Sequence, residues 1–75
     1  MDIYSSISGD LTIINNTRGG WDIRDSSDDL LYSGDLSNIS SIQVSSSQRL
    51  VTPTDAVSSL SSVSMFGSGD IHVYG

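Results

Sequence analysis

All nine acidic residues of this chain are Asp and all three basic ones are Arg, with no Glu or Lys anywhere. Glu and Lys, together with Ala, are the residues that most readily build a soluble helix surface, and Ala occurs only as Ala56. Ser takes the polar positions instead, eighteen times. Ser and Asp compete for backbone hydrogen bonds and favour turns and caps over helix interiors. A chain composed this way is expected to be β.

Its length sharpens that expectation. Seventy-five residues make one domain, 1–75, and a chain of this size buries only about 60% of the surface it exposes when unfolded. Small scaffolds usually need a staple. The absence of Cys removes disulfides, thiolate zinc sites and Cys nucleophiles together. Oligomerisation or docking on a larger body is the expected way to complete the core. Ile3, Ile13, Ile23, Ile42, Val44, Val63 and Ile71 and their like are too numerous for a disordered tail.

Period-two alternation places the strands. Asp2 to Ile7 reads as the first, and Ser8-Gly9-Asp10 as a turn. Leu11 to Ile14 pairs with Trp21 to Arg24 across Asn15–Gly20, the best hairpin candidate in the chain. Leu30 to Tyr32, Ile39 to Val44 and Arg49 to Thr52 follow. Pro53 ends the last of these, and Thr54-Asp55-Ala56-Val57 is the one helix start, with Thr54 as N-cap. Val63 to Phe66 and Ile71 to Tyr74 flank Gly67–Asp70 as a closing hairpin. Ser-Gly-Asp recurs at Ser8, Ser33 and Ser68. The unequal spacings read as a reused turn rather than a solenoid period. The expected fold is all-β: a small antiparallel sandwich or barrel of six to eight short strands, with one helical turn after Pro53.

Few residues suggest chemistry. His72 is the only histidine and alternates with Ile71 and Val73, so it belongs on a strand's polar face with no positioned partner for acid–base work. Asp22, Asp25, Asp28 and Asp29 are weak calcium candidates, since their spacing is not that of an EF-hand loop and the required Gly is absent. A solvated acidic loop is the simpler reading, and no cofactor is expected. Asn15-Asn16-Thr17 and Asn38-Ile39-Ser40 match glycosylation sequons.

A net charge of −6 and scattered Arg18, Arg24 and Arg49 argue against nucleic acid and against an anionic membrane. No apolar run approaches the ~20 residues that span a bilayer. Met1–Ser6 lacks the basic and apolar regions of a signal peptide.

Gly34-Asp35-Leu36-Ser37-Asn38-Ile39-Ser40-Ser41-Ile42-Gln43-Val44 resembles the end of a βγ-crystallin Greek key, and Gly19-Gly20-Trp21 is similar to that family's first hairpin. The resemblance covers residues 11–44 and implies a calcium-binding module, although Leu36-Ser37 replace the pair that helps bind the ion. Phe66–Ile71 resembles one turn of the glycine- and aspartate-rich calcium β-roll repeats, a site that needs several turns. As a whole, the Cys-free, Ser- and Gly-rich composition is similar to that of small accessory virion proteins of tailed bacteriophages, the capsid decoration (cement) and tail components.

The expectation is therefore a non-enzymatic assembly protein of a virion, made in the host cytoplasm. It would pack on itself or on a larger coat or tail protein through apolar β surfaces. Trp21, Tyr32, Phe66 and Tyr74 are the candidate interface anchors, with Trp21 leaning towards the core. The alternative is a βγ-crystallin-like calcium module.

Overall fold

The computed structural model describes residues 1–75. The chain winds through three successive coils. The first holds β1 (Asp2–Ile3), β2 (Gly9–Asn15), a hairpin of β3 (Trp21–Arg24) and β4 (Leu30–Gly34), and a 3-10 turn at Leu36–Asn38. The second holds β5 (Ser41–Gln43), β6 (Gln48–Pro53), the single helical turn α1 (Thr54–Val57) and a 3-10 turn at Ser59–Ser62. The third holds β7 (Ser64–Phe66) and β8 (Asp70–Tyr74).

Equivalent strands of successive coils lie side by side and parallel. One sheet is β1-β5-β7; the other is β4-β3-β2-β6-β8, in which the hairpin adds two antiparallel strands at the edge of β2. The molecule is mostly β, as composition implied. The sheets, however, are mixed rather than antiparallel, and no barrel closes. The expected closing hairpin is also absent: β7 pairs with β5 and β8 with β6, in different sheets. Gly67-Ser68-Gly69 is a corner of the coil and not a hairpin turn.

Parallel stacking puts like residues on like. Leu11, Leu50 and Ile71 form one column and Ile3, Ile42 and Met65 another. These columns run into a single core with Ile13, Ile23, Leu36, Ile39, Val44, Ala56, Leu60 and Val63. Two of the three Ser-Gly-Asp triplets fall at matching corners, with Asp10 and Asp70 in register on either side of Arg49. The second coil has Ser47-Gln48-Arg49 at that corner and the remaining triplet ends β4, so the motif is a turn used more than once and does not mark every coil. The β3–β4 hairpin lengthens the first coil and hides the period.

The corners are held by one buried amide and two close-packed glycines. Gln48 Nε2 donates to the Ser5 and Ile7 carbonyls at 2.8 and 2.6 Å, while its Oε1 accepts from the Ser45 backbone N–H and Oγ–H at 2.9 and 2.8 Å. It bolts the first corner to the second. The third corner lies directly on the second: a Cβ at Gly69 would sit 2.4 Å from the Ser45 carbonyl oxygen, and one at Gly67, where φ is +94°, would meet the Val44 carbonyl.

Two local expectations are corrected. The first strand is Asp2–Ile3 rather than Asp2–Ile7, because the chain turns the corner at Ser5–Ser8. Thr54 is the first helical residue and Pro53 the N-cap; the Thr54 hydroxyl donates instead to the Tyr74 carbonyl at 3.0 Å.

Candidate interaction surface

The two ends of the solenoid differ. At the first coil, the hairpin covers the outer edge of β2 and closes that end of the larger sheet. Its own loops are built from acids. Asp25 Oδ1 accepts from the Ser27 and Asp29 N–H groups at 2.9 and 3.1 Å, and Asp28 sits at φ +67° with Arg24 Nη1 donating to its carbonyl at 2.8 Å. Asp22, Asp25, Asp28, Asp29 and Asp35 all lie in or beside this hairpin, around the exposed Leu30 at the start of β4.

At the third coil β7 and β8 are edge strands: within residues 1–75 nothing pairs with their outer sides. Ile71 continues the Leu11–Leu50 column, yet it is 51% exposed where the other two are 0% exposed. Val73, in register with buried Thr52, is 48% exposed. Phe66 and Tyr74 are exposed as well, and Met65 is only half-buried. The inward rows of the core therefore surface here, bordered by a strand edge with unpaired backbone groups. Unpaired strand edges and bare apolar rows are the general features through which β-sheets associate.

The four candidate anchors divide between the two ends. Phe66 and Tyr74 stand on the open coil. Trp21 and Tyr32 lie on the hairpin, half-buried against the core, and the Tyr32 hydroxyl donates to the Asp35 carbonyl at 2.5 Å. Ile71 and Val73, read from sequence only as strand residues, turn out to be central to the exposed face. Their signal was alternation alone, which does not tell a covered row from a bare one.

The four candidate calcium ligands are not gathered into a cluster. Asp25 caps its own turn. Asp28 Oδ1 lies 3.9 Å from Arg24 Nε. Asp22 accepts from Ser33 Oγ at 2.7 Å and Asn16 Nδ2 at 3.1 Å. Those two hydrogen bonds, helped by Arg24 and Arg18, hold its carboxyl below the ordinary value of 3.8. Its partners Asn16 and Ser33 also line an open polar hollow of about 450 Å³, with Arg18, Trp21 and Asp35 among others. Asn16 organises the hairpin loop there, its Oδ1 accepting from the Arg18 and Gly20 N–H groups at 2.9 Å each. His72 is exposed on β8, in register with Val51.

No helix is long and apolar enough to cross a membrane. No family model, curated protein or solved structure matches this chain.

Proposed function

We propose that this chain is a non-enzymatic structural protein that works by assembly, docking through its open third coil onto a further β edge. The carrying observation is the break in exposure along a single core column, from Leu11 and Leu50, which are buried, to Ile71, which is not. Solenoid coils bury their apolar faces only against neighbouring coils, and a terminal coil needs a polar cap to remain soluble. The hairpin is such a cap at the first coil. No strand or hairpin of residues 1–75 covers the third, and a partner strand would bury its bare rows.

The setting we favour is a bacteriophage particle, in which this chain is a decoration or tail-associated component made in the host cytoplasm. Its support is compositional: a Cys-free, Ser- and Gly-rich chain that gains its missing core from a symmetric shell. In this reading neither nucleic acid nor membrane is a partner, in keeping with a net charge of −6.

Sedimentation of the wild type and of Val73→Lys tests the assembly reading. The wild type is expected to associate at micromolar concentration, and the Lys variant, with a charge placed on the bare row, to sediment as a folded monomer. A wild type that stays monomeric up to its solubility limit would count against it.

A further inference from the structure

We infer that the cover of the third coil is a second copy of the same chain, joined by antiparallel pairing of β8 with β8 about a two-fold axis through His72. This inference rests on the assembly reading above and adds the identity, symmetry and register of the partner.

Three observations carry it. The first is the self-complementarity of Asp70-Ile71-His72-Val73-Tyr74. Antiparallel pairing centred on His72 sets Ile71 opposite Val73 of the second copy, and Val73 opposite Ile71. Side chains alternate between faces along a strand. Both apolar pairs therefore fall on the inward face, where Ile71 and Val73 extend the rows of Leu50 and Thr52. Each bare row would meet another bare row.

The second is charge. Each chain carries −6, so a self-contact must keep acids apart. The only acid on β8 is Asp70, and this register places it opposite Tyr74 of the second copy. The two Asp70 residues end up four positions apart, about 14 Å along the strands. A parallel, in-register contact would instead set Asp70 against Asp70, which is destabilising.

The third is the asymmetry of the two ends. Head-to-tail growth of the larger sheet would have to use the β4 edge, which lies beside the Asp25–Asp29 loop and has a register irregularity between β3 and β4 at Ile23–Arg24. Irregularities and charges of this sort are how natural proteins blunt a sheet edge. With one end blunted and the other bare, the contact that remains is the bare end on itself. Such an isologous contact closes at two copies rather than running on as a filament.

The native chain has no Cys, so a single introduced thiol reports the register directly. Facing residues of an antiparallel pair have Cα atoms about 4.5–5.5 Å apart, within the roughly 4.4–6.8 Å that a disulfide spans. His72→Cys is therefore expected to give a covalent dimer under mild oxidation, roughly tenfold more than Asp70→Cys, whose thiols lie beyond reach. Sedimentation should give a dimer mass for the wild type and no larger species. Adding Val73→Lys to His72→Cys should abolish the cross-link. Tyr74→Asp, which sets a second carboxylate opposite Asp70 of the other copy, serves the same purpose if circular dichroism shows the first variant unfolded.

The outcomes separate the two readings. Association without preferential cross-linking at position 72, or an open series of oligomers, overturns the two-fold pairing and leaves assembly standing. A wild type that remains monomeric overturns both.

Discussion

Removing the Gln48 amide would leave two carbonyls of the first corner and an N–H and a hydroxyl of the second without their partner. Gln48 is 5% exposed, and no buried side-chain polar atom lacks a partner. Each polar group orphaned by a Gln48→Leu change costs about 1–3 kcal/mol, so a loss of about 2–4 kcal/mol is expected in urea unfolding. Gln48→Glu should be as damaging at neutral pH, because a carboxylate oxygen would then face the Ser5 and Ile7 carbonyls. Part of the loss should return on acidification. Asp22 gives the opposite pH signature. Its folded-state pKa is depressed, so its contribution is fully present above the unfolded carboxylate value and fades as the pH falls through the folded one. The melting temperature of Asp22→Asn should lie below that of the wild type at pH 7, and the gap should close in acid below the ordinary value of 3.8. A gap unchanged at low pH would show that the hydrogen bonds alone, and not the charge, carry the effect.

At the scale of the element, the β2–β3 hairpin was readable from the chain because everything that specifies it is local. The alternation of Leu11–Ile14 and Trp21–Arg24 sets its faces, and Asn16 with Gly19 and Gly20 sets its loop. The parallel ladders were not readable. Their partners lie far apart in sequence, and Leu11 to Leu50 is a longer step than Leu50 to Ile71 because a hairpin intervenes. Gly67-Ser68-Gly69 misled for a related reason, since hairpin turns and solenoid corners draw on the same residues. Gln48 was missed because a Gln before an alternating strand looks solvated; the Ser45–Ser47 turn in front of it was the available hint. On the proposed docking face, the sequence singled out Phe66 and Tyr74 as candidate anchors but not the Ile71–Val73 row. The glycine corner makes its own prediction. At Gly69 a methyl group would press on the Ser45 and Gln48 carbonyls and on the buried, β-branched Val44 side chain, none of which can swing aside easily. Gly69→Ala should therefore destabilise by about 1–3 kcal/mol, as overpacking does. Amide exchange should quicken in β7 and β8 while β2 and β3 keep their protection. Uniform loss across all strands would show that the corner is not local to the third coil.

For the whole molecule, neighbour-only contacts imply graded stability. In an unassociated variant such as Val73→Lys, amide protection should be greatest in β2 and β6, which have strands on both sides, and least in β7 and β8. Association would remove that gradient. Ligation of the folded state raises apparent stability by mass action, so the wild-type melting temperature should climb with protein concentration and that of Val73→Lys should not. A wild-type melting temperature independent of concentration would point to a third coil that is stable uncovered.

The same corner of the coil carries a twenty-residue excursion, Asn16–Asp35, in one turn of the solenoid and a single helical turn in the next. After β2 the path detours through the hairpin before reaching Leu36, whereas after β6 it needs only Thr54–Val57 to reach Leu60. The scaffold thus already tolerates cargo at that vertex. Val57 and Ser58 are exposed between the buried anchors Ala56 and Leu60, which makes this the natural point at which to graft a foreign peptide. In a two-fold pair, every graft would be displayed twice.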